Sequence, residues 1–267
     1  MTSTGITTNA LLARWDRFRT NRNQALAADH GWLTLTSLQW LPAEPSTMDL
    51  VPGLWSTEGT AAVLAATEAD GFTLAETDEP AVGTLTAVLQ NEESLMWVRH
   101  GSIVVELVMR DGRYALRTRD SHSPTLTGFS SVPTFGYRPD LVVQGRFEAY
   151  PEPRTVPIGT AYPHVASEAV VVGDVAFELA GQTYRLAAEE EKLGALVITF
   201  HDATNGTSTD EWRKLVTTRP HPDGSVVLDF NRAINYPSAF TDYGTCPMPV
   251  AGNRVAVPIE AGEKKPH

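Results

Sequence analysis

Apolar positions early in the chain recur at helical spacing. Leu11, Leu12, Trp15, Phe18 and Leu26 lie within Asn9–Ala28, a stretch free of Gly and Pro, and predict one helix over about 9–28. Asp29-His30-Gly31 reads as its exit, with Gly31 as a left-handed cap. The apolar-rich stretch Trp32–Leu41 follows as a strand or tight turn.

After Pro42 the pattern shortens to β-prone runs divided by Gly, Asp, Asn and Pro. The first series is Gly71–Ala75, Thr84–Gln90, Leu95–Arg99, Ile103–Met109 and Tyr114–Arg119. The second is Leu141–Tyr150, Thr155–Ile158, Val170–Val172, Ala176–Leu179, Thr183–Ala187 and Ala195–Phe200. Asp111-Gly112 is a type I′ hairpin signal, since both central residues need positive φ. Gly173-Asp174 and Gly181-Gln182 read as turns of a meander. These runs predict a mainly β fold, an antiparallel β-barrel or stacked β-sheets with an N-terminal α-helix. It is drawn as a single domain over 1–267 with a seam near 121–139.

The seam region, Ser121–Pro139, is rich in Ser, Thr, Gly and Pro but also holds Phe129, Phe135 and Tyr137, so it reads as an ordered loop lining something rather than a linker. The tail Ala261–His267 is expected to fray.

Composition narrows the function classes. The chain has 267 residues, 42% hydrophobic and 20% charged, ordinary values for a folded protein. Its net charge of −11 opposes a nucleic-acid or anionic-membrane partner. The one basic run, Arg14, Arg17, Arg19 and Arg22, reads as a solvated helix surface. A single cysteine, Cys246, excludes an intrachain disulfide and a multi-cysteine metal site. No signal-peptide pattern precedes the helix, no apolar stretch approaches the roughly 20 residues of a membrane span, and the protein is expected in the cytoplasm.

Common catalytic fingerprints are missing. There is no G-x-G-x-x-G, Walker loop or G-x-S-x-G elbow, and His122, His164 and His221 fall in loops outside any H-x-H or H-E-x-x-H spacing. Neither a cofactor nor a metal is expected. Homo-oligomerisation is left open.

The densest polar cluster is Asp229, Asn231, Arg232 and Asn235. In an extended segment Asp229 and Asn231 would share a face while Phe230 and Arg232 take the other. A carboxylate beside a carboxamide can grip a hydroxyl or amide, and an arginine offers a planar fork to a carboxylate or phosphate. The alternative is that these groups satisfy backbone atoms in an irregular return. His201-Asp202 closes the strand ending at Phe200, where Asp202 is a candidate general base or an orienter of His201, against the plain reading of a capped hairpin. Cys246 reads as a nucleophile paired with a histidine or as a small buried hydrophobe. Tyr137 and Tyr236 are placed at a pocket mouth.

The run Asp229-Phe230-Asn231-Arg232-Ala233, then Asn235-Tyr236-Pro237-Ser238-Ala239-Phe240, Cys246-Pro247, Asn253-Arg254 and Ala261-Gly262-Glu263-Lys264, resembles the bacterial family called domain of unknown function 1684. Further matches are Gly31-Trp32-Leu33, Trp40-Leu41, Arg119-Asp120, Arg146-Phe147 and Phe200–Thr204 leading to Arg213, which joins the ligand-binding candidates. The resemblance implies no named reaction. Two departures stand out: Tyr236 and Ser238 replace a Pro and a Cys of the pattern, and Trp212 replaces a Gly.

Three readings follow. Asp229, Asp202 and His201 would serve acid/base, hydrolase-like chemistry on a small polar or carboxylated substrate, with Asn231, Arg232, Asn235, Tyr236, Arg213 and Tyr137 binding it. The same residues could instead anchor a ligand without catalysis, or form a structural or partner-binding surface. Convergence of Asp229, Arg232 and Asp202 in one concavity separates the first two from the third.

Overall fold

The opening helical pattern forms α1 (Ser3–Leu26) in the computed structural model, which describes residues 3–266, with side chains from Ala10 onward. The helix starts ahead of the expected Asn9 and stops short of Ala28. Its exit also differs: His30 takes the left-handed conformation (φ 54), whereas Gly31 is extended (φ −73, ψ −165). Gly31 is needed for closeness, because a Cβ there would stand 2.8 Å from the Ala28 carbonyl oxygen.

The chain divides into two compact units, Ala25–Phe129 and a second made of Met1–Gln24 with Ser130–His267.

In the first unit, a 3₁₀ turn (Trp32–Thr34) leads into β1 (Leu35–Trp40). Eight strands follow: β2 (Ser46–Met48), β3 (Val51–Glu58), β4 (Ala61–Ala66), β5 (Thr73–Leu74), β6 (Gly83–Ala87), β7 (Ser94–His100), β8 (Ile103–Arg110) and β9 (Arg113–Asp120). They form two antiparallel sheets, ordered β1-β9-β8-β7-β5 and β2-β3-β4-β6. Trp55 and Leu64 of one sheet share a core with Trp97, Val105, Leu107 and Leu116 of the other. Trp55 meets Trp97 edge-on at 5.7 Å. Asp111 (φ 50) and Gly112 (φ 67) make the expected hairpin. Strands β2–β4 escaped the sequence reading; β4 is Ala-Ala-Val-Leu-Ala-Ala, and alanine carries little strand preference.

Arg119 is structural in this unit. Its guanidinium grips the buried Glu106 at 2.9 and 2.7 Å and donates to the His30 and Gly31 carbonyls, with the Trp32 ring 4.8 Å away.

The second unit holds a seven-stranded antiparallel sheet. Its strands are β10 (Val142–Ile158), β11 (Ser167–Leu179), β12 (Gln182–Glu190), β13 (Leu196–Phe200), β14 (Arg213–Val216), β15 (Ser225–Asp229) and β16 (Ile234–Asn235), ordered β15-β10-β11-β12-β13-β14-β16. Two expected breaks vanish: β10 absorbs the runs ending at Tyr150 and Ile158, and β11 runs straight through Gly173-Asp174. Gly173 pairs with Ala149 and Ala188, and a Cβ there would come within 2.5 Å of both the Glu148 carbonyl and the Phe147 ring. The Gly181 turn is real, with Ala180 at φ 51 and Gly181 at φ 75. Phe177, Leu186, Ile198, Phe200, Leu215, Leu228 and Phe230 build the core. The protein is thus mainly β, with antiparallel sheets and an N-terminal helix, as the short runs predict.

Candidate functional site

Strand β15 ends at Asp229, and the chain turns at once into a 3₁₀ turn, Phe230–Arg232, rather than continuing extended. Asp229 drives that turn: its Oδ1 accepts from the Asn231 backbone N–H (3.1 Å) and carboxamide (2.9 Å). Phe230 therefore drops into the core, Asn231 is buried beneath the turn, and Arg232 emerges to solvent. The face-sharing expected of a straight strand is replaced by this geometry.

Asp229 and Arg232 then line a cleft of about 500 Å³, together with Tyr137 and with Arg14, Trp15, Arg17 and Phe18 of α1. The Trp15 indole donates to the Asn231 carbonyl (3.1 Å), which ties the helix to the turn. Arg232 lies over the Phe18 ring at 4.5 Å, and Trp15 meets Tyr137 at 5.6 Å. Burial, then the Asp229 charge, pushes the Tyr137 phenol above its ordinary range. Three arginines face one aspartate here, the reverse of the chain's overall balance. Asp229 Oδ1 is occupied by Asn231, so Oδ2 is the oxygen open to a ligand's hydroxyl or amine.

Asp202 and Arg213 lie elsewhere, enclosed as a buried ion pair at 2.7 Å with no exposed side-chain surface. Asp202 Oδ1 accepts from Thr204 and from the Ile259 N–H (3.1 Å). Arg213 donates to the carbonyls of Ile259 (2.9 Å), Ala261 (2.5 Å) and Glu263 (3.2 Å). His201 bonds through Nδ1 to the Glu211 carbonyl (2.9 Å), not to Asp202. Convergence is therefore partial, with Asp229 and Arg232 in the cleft and Asp202 outside it.

The remaining candidates are also enclosed. Asn231 clasps the Arg138 backbone, accepting at 2.6 Å and donating at 2.9 Å. Asn235 donates to the Lys264 carbonyl (2.8 Å), and its own N–H reaches Glu263 (2.7 Å). The Tyr236 hydroxyl pairs with Thr199 at 2.6 Å, away from any pocket mouth. The tail is held instead of fraying: Ala261 and Glu263 are buried, and Glu263 pairs with Arg22 at 2.9 Å, while His267 lies outside the described residues.

Arg22, paired with Glu263, thus has a structural role that a solvated-helix reading omits, whereas Arg14 and Arg17 are exposed on the helix at the edge of the cleft. Arginines two or three residues apart beside Trp15 and Phe18 place charge at the margin of the buried stripe. Asn253, with no role expected, bridges strands by donating to the Ala187 and Thr199 carbonyls at 2.9 Å each. Another cavity, about 550 Å³, lies in the Ala25–Phe129 unit beside Trp40 and Arg113, and no candidate site residue lines it. Among the described residues no helix is long and apolar enough to cross a membrane.

The family model described as "Protein of unknown function (DUF1684)" matches residues 127–264, over half of the chain. The chain belongs to this family. The matched stretch holds the cleft turn, the Asp202–Arg213 pair and the anchored tail; Gly31-Trp32-Leu33, Trp40-Leu41 and Arg119-Asp120 fall outside it. An uncharacterised protein of Haloarcula marismortui, solved by solution NMR, is 26% identical, with 52% of this chain and 78% of that chain covered and a TM-score of 0.44. No curated protein matches. Trp212, Tyr236 and Ser238, read in the sequence as departures from the pattern it resembles, gather around Cys246, which is buried against Trp212 and Tyr236 as a small apolar group would be.

Proposed function

We propose that this family member binds a small carboxylated molecule in the cleft between α1 and the β15 turn. The observation that carries the reading is the convergence of Asp229, Arg232 and Tyr137 with Arg14 and Arg17 around one concavity. The arginines suit a carboxylate, Trp15 and Phe18 offer an apolar floor, and Asp229 with Tyr137 suits a hydroxyl or amine on the same ligand. Binding without catalysis is favoured over hydrolysis. Of the three acid/base candidates Asp229 alone lines the cleft, and neither His201 nor Asp202 stands there to act with it. The single cysteine and the acidic balance fit a cytoplasmic protein without a nucleic-acid partner.

The test is a thermal-shift screen against small hydroxy, amino and aryl carboxylates, run on the native protein, Arg232→Ala and Asp229→Asn. Arg232 is exposed and Asp229 half-buried, so both variants should fold. The expected result is a ligand-dependent rise in Tm for the native protein that Arg232→Ala abolishes and Asp229→Asn reduces. Equal shifts in all three proteins, or none in any, would overturn the reading.

A further inference from the structure

The outer face of the seven-stranded sheet carries a second group of reactive side chains that the cleft does not use. Leu196, Ile198 and Phe200 of β13 point into the core, so Thr199 points out; on β14, Arg213 and Leu215 point in, so Trp212 and Lys214 share the outer side. Lys214 stands opposite Thr199 on one side and Ile234 on the other, and continuing that ladder sets Trp212 beside Tyr236. The Cys246 segment is laid across them by the Ala161 N–H, which donates to the Cys246 carbonyl at 2.8 Å. Trp212, Tyr236 and Cys246 form one buried cluster.

Within this cluster Lys214 Nζ sits 4.9 Å above the Tyr236 ring. Two enclosed polar atoms here have no partner: the Trp212 indole nitrogen and the Ser238 hydroxyl. Ser238 lies beside the thiol, since a Cβ on Gly244 would touch Cys246 Sγ (3.2 Å) and the Ser238 nitrogen (3.3 Å) together. Trp212 is only 7% exposed, and an enclosed donor with no acceptor costs about 1–3 kcal/mol, a cost that a ligand oxygen reaching these two groups would relieve. Lys214 remains half-buried and reachable. Burial lowers its amine first, then the Arg22 charge, while Cys246, Glu191 and Glu263 act in the other direction. Glu189, on the same outer side of β12, has its carboxyl raised by burial, against the pull of Lys214.

We propose that Lys214 is a carbonyl-condensing amine whose partner is a small 2-oxo acid, with the carboxylate of that acid taking the open donors of Trp212 and Ser238. The neutral amine adds to the carbonyl carbon, forming the C–N bond while the carbonyl oxygen takes up a proton. Loss of that oxygen as water, with a proton from Glu189, leaves the C=N bond, so one water is released and no oxidant is needed. None of Lys214, Trp212, Ser238 and Glu189 lines the cleft, and the site does not depend on a ligand there.

The chain has four lysines, Lys192, Lys214, Lys264 and Lys265, which makes the test direct. The full chain is incubated with pyruvate and cyanoborohydride, and the trapped adducts are mapped by peptide mass spectrometry; formaldehyde, which lacks a carboxylate, serves as the exposure control. The expected result is pyruvate trapping concentrated on Lys214, lost in Lys214→Met, with formaldehyde favouring the exposed Lys192 and Lys265. Trp212→Phe removes only the indole N–H and is expected to raise the half-saturating pyruvate concentration about tenfold, the weight of one hydrogen bond. Pyruvate trapping that follows the formaldehyde pattern would overturn the assignment of Lys214. Unchanged saturation in Trp212→Phe would overturn the role of the donors.

Discussion

Asp202 and Arg213 show how a residue that looks catalytic in sequence becomes a clasp. A carboxylate and a guanidinium without exposed side-chain surface are tolerable only when nearly every donor and acceptor is met, and here the Thr204 hydroxyl, the Ile259 N–H and three tail carbonyls complete the set. Asp202→Ala should therefore lose about 3–5 kcal/mol in urea denaturation, because it strands a buried charge. Pairing Asp202→Leu with Arg213→Met should recover little of that loss, since the Ile259, Ala261 and Glu263 carbonyls then lack their donor; near-native stability in the double variant would contradict the clasp. Glu189 carries the opposite kind of prediction. Its folded carboxyl titrates above the ordinary value because burial disfavours the charge. Its contribution to stability is thus full below the ordinary carboxyl value and lost as pH rises through the raised one. Glu189→Gln should therefore gain in Tm relative to the native protein between about pH 5 and 8, with no gain near pH 4.

Element-level order was legible wherever local chemistry and tertiary context agreed. Asp111-Gly112 makes its turn because two positive φ values are cheap there, and the strands flanking it run close to the expected bounds. Gly173 misled for a physical reason: glycine serves equally at a turn and where two backbones approach too closely for a Cβ, and sequence does not separate those uses. Gly173→Ala should accordingly cost about 3 kcal/mol, the upper end of overpacking, by forcing β11 away from Glu148 and Phe147, whereas Gly112→Ala, with open space around it, should cost only the strain of one left-handed residue, about 1 kcal/mol. Comparable losses in chemical denaturation would refute the crowding account of Gly173. The site was half legible. The density of polar residues singles out Asp229 and Arg232, which line the cleft, but extended-strand parity misplaced Asn231, because the Asp229 side chain itself bends the chain into a 3₁₀ turn. Arg14 and Arg17, which line the cleft, read in sequence only as a solvated helix face, because an exposed basic face looks the same whether or not it borders a concavity.

At the scale of the whole molecule, the family match begins at residue 127, and the unit Ala25–Phe129 lies almost entirely ahead of it. That unit's core is drawn wholly from its own strands, with Trp55, Leu64, Trp97, Leu107 and Leu116 shared between its two sheets. Its one buried carboxylate, Glu106, is answered by Arg119 and Arg117 of the same unit. A segment of about a hundred residues with a closed core and internally paired charges meets the requirements of an independent domain. Expressed alone, residues 25–129 should unfold cooperatively in urea, with the slope of about 1–3 kcal/mol/M expected of a small two-state protein and with the near-ultraviolet dichroism of packed tryptophans lost in the same transition. A gradual, non-cooperative melt would mean that this core depends on the rest of the chain. In that event the 2-oxo acid and carboxylate tests, which concern only the other unit, would have to be read on the full protein alone.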